Sequence, residues 1–183
     1  MKKYFVLFVI AIAGFISCTE SVKGKNGVTY KTAVQYNDYI VNRQTTLIKF
    51  ILDFSKMADS NLDSAGMMLK RYAMQAEQMI DEVNGMPAYK GDSALRNAAA
   101  RSFIFYKKLF ESDYVALLNL RKKNTVMGSE DVAEANRIVD RIGKEEEILD
   151  KGFHNAQKAY AKKNKMKLMD NKVQQEIDKA KND

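Results

Sequence analysis

Apolar side chains recur at spacings of three and four residues in four separate stretches of this chain. Residues at these spacings lie on one face of an α-helix, and such a face is stable when it is buried against another element. The four series are Ala33, Asn37, Ile40, Gln44, Leu47, Ile51 and Phe54; Ala65, Leu69, Tyr72, Ala76, Met79 and Val83; Ala99, Phe103, Tyr106, Phe110, Asp113, Leu117 and Leu120; and Val132, Ala135, Val139, Ile142, Glu146, Leu149, Phe153, Ala156 and Tyr160. The sequence therefore predicts four packed helices.

The residues between the four series carry helix start and stop signals. Asn61 or Asp63 can cap the second helix, and Asp92 can cap the third after a stretch that contains Gly and Pro. Ser129 follows a glycine and begins the fourth helix. Because short connections make sequential helices antiparallel neighbours, we predict an all-α domain over residues 28–166, an up-down-up-down antiparallel four-helix bundle.

The N-terminus has the features of an export signal. Lys2 and Lys3 give a positive start, and the apolar run 4–16 is shorter than the roughly 20 residues that span a bilayer. The run ends at Cys18, the only cysteine, and the preceding residues "FIS" resemble the lipobox of bacterial lipoproteins. We predict that residues 1–17 are a lipoprotein signal peptide and that Cys18 is lipidated. An ordinary free cysteine is the alternative, but an unpaired exposed thiol is a liability in an exported protein.

The two ends of the mature chain are polar. Residues 18–27 predict a lipidated cysteine followed by a flexible tether, and residues 167–183 predict a frayed basic tail or helix extension. The formal net charge of the whole chain is +7, much of it near the C-terminus, where lysines can either contact anionic lipid or simply face water. An exported, anchored chain without an aromatic and basic recognition motif is an improbable partner for nucleic acid. Thr19, rather than Asp, follows the anchor, which favours the outer membrane by analogy with enteric bacteria.

Polar residues interrupt the predicted apolar faces. The candidates for a polar core network or ligand site are Asn37, Gln44, Tyr106, Asp113 and Glu146. Burying an unpaired carboxylate costs several kcal/mol, so Asp113 and Glu146 need partners if they face the core. The arginines that could pair with them are Arg101, Arg137 and Arg141. Three interpretations stay open: a structural network that fixes the helix register, a small-ligand pocket lined by Tyr and Met, or a register in which these residues face water.

The sequence contains no recognisable catalytic motif, so we predict a non-enzyme without cofactors. Glu147, Asp150 and His154 share a helix face, but neighbouring lysines can pair with these carboxylates, and a di-iron bundle would need two Glu-x-x-His motifs. No metal is expected. Methionines gather around the second helix, where they either fill gaps in the core or, at outward positions such as Met67 and Met74, form an adaptable contact surface.

Cys18, a short polar tether and the "YNDYI" segment at 36–40 together resemble small helical lipoproteins of Gram-negative envelopes, a group that includes uncharacterised surface-lipoprotein families. The resemblance implies a lipid-anchored helical bundle of the cell envelope, held on the membrane by its N-terminal acyl chains. The expected function is a non-catalytic interaction module that docks a protein partner through a helical face. The alternative is a small-ligand carrier or sensor with a pocket lined by Tyr and carboxylate side chains.

Overall fold

A computed structural model of the chain describes residues 21–123 and 128–168. In this part of the chain the protein is all-helical with four helices, as predicted. The elements are β1 (Val22–Lys23), β2 (Thr29–Tyr30), α1 (Ala33–Ser60), α2 (Leu62–Asn84), α3 (Ala94–Lys108), a π-helical turn (Leu109–Asp113), α4 (Tyr114–Lys123) and α5 (Ser129–Lys163). α3, the π turn and α4 form one continuous helix. None of the helices within the described ranges is both long and apolar enough to cross a membrane.

Side-chain caps fix the ends of the first two helices. The Thr32 hydroxyl accepts a hydrogen bond from the Gln35 N–H at 3.1 Å, which satisfies a free donor in the first turn of α1. Asn61 closes α1 through its own N–H and opens α2 by accepting from the Ser64 N–H at 2.9 Å. The break between α1 and α2 is therefore this single extended residue. Asn61, one of the two predicted caps, is the one that acts.

The third helix carries the core face that the sequence predicts, but its register changes at the π turn. Phe103 and Phe110 are buried as expected. Beyond the π turn Leu118 is buried, whereas the predicted Leu117 is half-buried. A π turn inserts one extra residue into the helix, so every later core position moves by one.

The prediction for the first half of α5 is wrong in its register. Val132 and Val139 were expected in the core, yet their side chains are 43% and 54% exposed. Ile138 is buried instead. Ile138 and Val139 are adjacent apolar residues about 100° apart on the helix, so the sequence alone does not determine which one faces inward. In the second half of α5, Phe153 and Tyr160 are buried as predicted.

The expected flexible tether is ordered where the structure describes it. β1 and β2 form an antiparallel hairpin with Val22 opposite Tyr30, and Gly27 adopts φ of 79° in the connection. Tyr30 is 1% exposed, so the hairpin contributes to the core rather than moving freely. Cys18 and its two following residues lie outside the described ranges.

The core is centred on α3, which packs against both α2 and α5, while α1 packs mainly against α2. Phe103 and Leu109 are completely or almost completely buried. Stacked aromatic pairs join α1 to the other helices: the Phe50 and Tyr72 ring centroids lie 4.2 Å apart, and those of Phe54 and Tyr114 lie 4.7 Å apart. Aromatic contacts therefore connect α1 to both α2 and α4.

Candidate functional site

The first polar group is a cluster of tyrosines at one end of the molecule, called here the tyrosine end. Its members are Tyr30, Tyr36, Tyr39, Tyr89 and Tyr160. Neighbouring ring centroids lie 5.2 to 5.8 Å apart. The Tyr36 hydroxyl donates to the Pro87 carbonyl at 2.9 Å, and the Tyr160 hydroxyl donates to the Ala33 carbonyl at 3.2 Å. The cluster therefore joins the start of α1, the segment after α2 and the end of α5.

Asn26 attaches the N-terminal hairpin to this cluster. Its side-chain amide donates to the Tyr30 hydroxyl at 2.7 Å and to the Glu82 carbonyl at 2.9 Å. Its backbone N–H donates to the Gly85 carbonyl at 3.3 Å. A Cβ atom at Gly24 would lie 2.8 Å from that same carbonyl oxygen, so the two backbones approach closely enough to require glycine. The hairpin is therefore fixed to the end of α2 both by hydrogen bonds and by the close contact between the two backbones.

Arg43 lies at the side of the tyrosine end, where it contacts both an aromatic ring and a carboxylate. The Arg43 guanidinium lies 3.3 Å from the Tyr39 ring centroid, and its Nε atom lies 2.6 Å from a Glu82 carboxylate oxygen. A cation over an aromatic face and a carboxylate in its plane satisfy both sides of the guanidinium. This contact ties α1 to the last turn of α2.

Burial determines the ionisation of the tyrosines. Desolvation raises the pKa of Tyr30 and of Tyr36 to about 12, in spite of the opposing effects of Asn26 on Tyr30 and of Arg96 on Tyr36. Burial is also the main cause of the raised pKa of Tyr160. The three hydroxyls are therefore neutral near neutral pH: Tyr36 and Tyr160 donate to backbone carbonyls and Tyr30 accepts from Asn26, which suits a structural role.

The second polar group surrounds Asp113 at the end of the π turn. Asp113 is 4% exposed, and its Oδ1 atom accepts a hydrogen bond from Arg141 on α5 at 2.8 Å. Its Oδ2 atom is buried and has no hydrogen-bond partner among the described residues. Arg141 is one of the three arginines that the sequence offered as partners for Asp113 and Glu146. π turns often occur at functional sites, which makes the cluster a candidate.

The carboxylates of this second group contribute to the raised pKa values of two tyrosines. Burial raises the pKa of Tyr106, and the negative charges of Asp150 and Glu146 add to the effect. Burial likewise raises the pKa of Tyr114, with further contributions from Glu146 and Asp113. Glu146 thus acts on both tyrosines and Asp113 acts on Tyr114, which places Tyr106, Asp113 and Glu146 in one region of the structure.

The other two predicted seam residues lie apart from Asp113. Asn37 is 6% exposed and its carbonyl oxygen accepts from the Gln157 side chain at 2.9 Å, close to the tyrosine end. Gln44 is half-buried on α1. The predicted set thus divides into separate local contacts. The sequence reasoning missed Asn26 and Gln157, although the dipeptide Asn26-Gly27 is a hairpin-turn signal that could have revealed the first of them.

The remaining candidate positions are exposed. Glu147, Asp150 and His154 lie on the outer side of α5, and within the described ranges no group of three or more His, Cys, Asp or Glu side chains is arranged to hold a metal ion.

Two grooves on the surface have volumes of about 550 and 350 Å³. The larger follows α5, and the smaller lies between α1 and α2; their linings are Arg137, Asp140, Arg141, Lys144, Glu145 and Ile148, and Asn42, Arg43, Thr46, Gln75, Gln78, Met79 and Glu82.

Two methionines of α2 point outward. Met67 and Met74 are 70% and 67% exposed and lie seven residues apart, which places them on one side of the helix. Lys70 and Arg71 lie between them in the sequence and are also exposed. Gap filling and an outward contact surface were the two alternatives for these methionines, and their exposure rules out gap filling at these two positions. We call this strip the Met67–Met74 face.

Comparison with known proteins gives no relative for this chain: no family model, no curated protein and no solved structure matches it. Its function is therefore argued from the contacts, burial and charge of its own residues.

Proposed function

We propose that this protein is a lipid-anchored component of the cell envelope that acts by binding a protein partner through the Met67–Met74 face and catalyses no reaction. Cys18 would carry the acyl chains, in the outer membrane of a Gram-negative bacterium. The exposure of Met67 and Met74 is the observation that supports the binding role. Large apolar side chains cost free energy when they face water, and methionine adapts its shape to a partner surface.

We further propose that the four helices run up-down-up-down. Three contacts between distant residues support this arrangement. Arg43 meets Glu82 near the start of α1 and the end of α2. Lys122 meets Asp63 at 2.6 Å between the end of α4 and the start of α2, and Asn37 meets Gln157 between the start of α1 and the end of α5. In an up-down-up-down bundle Met67, near the start of α2, lies toward the end of the molecule opposite the tyrosines.

A second candidate function is a small-ligand carrier that uses the Asp113 cluster. The buried Oδ2 atom without a partner is the observation that favours it, because a cationic or hydrogen-bonding ligand would satisfy that atom. Arg141 satisfies the other carboxylate oxygen, Oδ1, at 2.8 Å, and Asp113 itself lines neither surface groove, although Arg141 lines the larger one. The contact with Arg141 is therefore interpreted first as a structural tie.

The anchor is tested at Cys18. We expect the mature chain from envelope membranes to begin at Cys18 and to carry diacylglycerol on its thiol, as measured by intact-protein mass spectrometry. Two or more acyl chains, at about 0.8 kcal/mol for each buried CH₂, hold a protein stably on a membrane. Cys18→Ser should retain residues 1–17, because the acylated thiol is needed for cleavage.

Protease treatment of intact cells then determines the orientation. Digestion of the wild-type body from outside would indicate display on the cell surface, and protection until the outer membrane is opened would indicate the periplasm. The anchoring proposal is wrong if Cys18→Ser is processed and membrane-bound to the same extent as the wild type.

The binding face is tested with a photo-crosslinking amino acid at position 67 or 74 in the anchored protein in cells. We expect both positions to give the same defined adduct, since the two side chains lie on one strip of α2. Position 49 on α1 is the matched control, because Lys49 is also exposed but lies on a different helix.

Met67→Glu together with Met74→Glu should abolish the adduct when the crosslinker is placed at position 71, between them. The exposure of both methionines makes these substitutions compatible with an unchanged fold, which circular dichroism checks. Equal adducts from positions 49, 67 and 74, or none from the last two, would contradict a binding role for this face.

A further inference from the structure

Exposed lysines gather at the tyrosine end. The hairpin, the connection between α2 and α3, and the end of α5 all contribute to this group. Its members are Lys23, Lys25, Lys31, Lys90, Lys162, Lys163, Lys165 and Lys167. Three contacts place the contributing segments at the same end: Asn26 with Glu82, Tyr160 with Ala33, and Lys163 with Asp92.

Acidic groups balance few of these lysines. Lys163 pairs with Asp92 at 3.1 Å, while Glu82 is engaged by Arg43. Within the described ranges, Lys23 and Lys25 are in no ion pair, and the same holds for Lys31, Lys90, Lys162, Lys165 and Lys167. This end therefore presents a net positive surface to its surroundings.

The opposite end of the molecule differs in its charge pattern. There the last residues of α4 meet acidic residues near the junction of α1 and α2 and at the start of α5. The pairs are Arg121 with Asp59 at 3.3 Å, Lys122 with Asp63 at 2.6 Å, and Lys123 with Asp131 at 3.2 Å. These three cations are locally neutralised, in contrast to most of the lysines at the tyrosine end.

The tyrosine end is also where the chain leads to Cys18. The hairpin is fixed to α2 from Val22 onward, so residues 19–21 alone separate it from the cysteine. An extended chain spans at most about 3.4 Å for each residue, which gives a tether of roughly 10 to 14 Å. That length is comparable to the Debye length of about 8 Å at physiological ionic strength. Lysines of the hairpin would therefore lie within electrostatic reach of the surface that holds the anchor.

We propose that the lysines of the tyrosine end bind the phosphates of an anionic lipid surface, so that the body rests on the membrane at this end with its opposite end pointing away. This inference rests on the proposed anchor at Cys18. The acyl chains hold the protein on the bilayer, and the lysines set its orientation. In this orientation Met67 is carried toward the end away from the lipid, where a partner can reach it.

The test uses the mature acylated chain in vesicles. Because acylation blocks the only native thiol, a cysteine introduced at Thr29 in the hairpin or at Ser60 at the opposite end is a unique site for a fluorophore. Vesicles contain phosphatidylcholine alone or with phosphatidylglycerol, and a nitroxide on the lipid headgroup quenches the fluorophore. We expect phosphatidylglycerol to increase quenching at position 29 and not at position 60, and high salt to remove the increase.

Lysine substitutions separate specific contact from overall charge. In the variant with Lys23, Lys25, Lys31 and Lys90 changed to Gln, the effect of phosphatidylglycerol on quenching at position 29 should fall by about threefold or more, since each lysine near an anionic surface favours binding about fivefold. The matched control changes the same number of exposed lysines elsewhere: Lys49, Lys56, Lys70 and Lys151. An equal loss in both variants, or equal quenching in both kinds of vesicle, overturns the proposal.

The two proposals fail in different ways. An unmodified Cys18 in the mass spectrum refutes the anchor. The same unacylated chain then tests the lysine surface by flotation with phosphatidylglycerol vesicles, where loss of binding in the four-lysine variant supports the surface and absence of wild-type binding refutes it. An acylated Cys18 combined with composition-independent quenching refutes the lysine surface and leaves the anchor intact.

Discussion

Replacing Arg141 with alanine is expected to lower the free energy of unfolding by about 3 kcal/mol. The reason lies in its partner, because the Asp113 side chain is 5% exposed and receives its hydrogen bond from Arg141 at 2.8 Å. Without Arg141 the buried carboxylate loses the positive charge that compensates it, and its second oxygen is already without a partner. For a domain of this size the melting temperature should fall by about 6 to 12 °C.

Arg137 provides the matched control for this prediction. It lies one helical turn before Arg141 and pairs with Glu134, but its side chain is 72% exposed. Arg137→Ala should change stability by less than about 0.5 kcal/mol, because exposed ion pairs are weak. Thermal and urea unfolding of both variants give the comparison. Equal effects at the two positions would mean that Asp113 does not need Arg141 to compensate its charge, because water solvates it.

The double variant tests why Arg141→Ala destabilises the protein: because the attraction between the two side chains is lost, or because the buried Asp113 charge is left uncompensated. Asp113→Leu in the Arg141→Ala background removes the carboxylate and keeps a side chain of similar volume. We expect it to recover most of the lost stability, because leucine leaves no uncompensated charge at this buried position. If the double variant is less stable than Arg141→Ala alone, Asp113 stabilises the fold through contacts other than the one with Arg141.

The predicted helices and caps follow from local physics. Asn61 caps α2 through an oxygen that its side chain always offers, and the apolar series in α1 and α2 are long enough to identify one face without ambiguity. Phe103 and Tyr72 are buried where their spacing places them. Such features depend on residues within a few turns of one another, so the sequence predicts them.

The hairpin was missed because its stability depends on distant residues. Residues 22–30 are polar and rich in glycine, a composition typical of a tether. Their order comes from Asn26, which contacts Glu82 more than fifty residues later, and from the burial of Tyr30 among other tyrosines. Local composition cannot predict contacts of this range.

The sequence predicted only part of the candidate site, because some of its contacts also join residues that are distant along the chain. Asp113 falls in the apolar series of the third helix, so the sequence predicted that it needs a partner and offered three arginines, and the packing of α5 determines that Arg141 is the one that meets it. The partner of Asn37 is Gln157, which the apolar series of α5 leaves on its flank. A single extra residue in the π turn also moves the later core positions, and no composition signal marks that insertion.

Deleting Ser112 from the π turn is expected to preserve the fold. Within the turn the Tyr114 N–H donates to the Leu109 carbonyl five residues earlier, so one residue exceeds the α-helical repeat. Removing the exposed Ser112 restores that repeat and leaves Phe103 and Leu118 on the core face. Stability should change by no more than about 2 kcal/mol, and the variant should unfold cooperatively in thermal circular dichroism.

Deleting Ile104 from α3 should have a far larger effect, although its side chain is also mostly exposed. In a regular α-helix one missing residue rotates everything beyond it by about 100°. Even if the π turn gives up its extra residue and keeps Leu118 in the core, the buried side chains between the deletion and the turn, Phe105, Tyr106 and Leu109, are rotated away from the core. Each buried aromatic or leucine lost costs about 2 to 5 kcal/mol, and several together exceed the 5 to 15 kcal/mol of a typical domain. Cooperative unfolding of the Ile104 deletion with near-normal stability would show that the helix absorbs a missing residue anywhere, and the extra residue would then not be specific to the π turn.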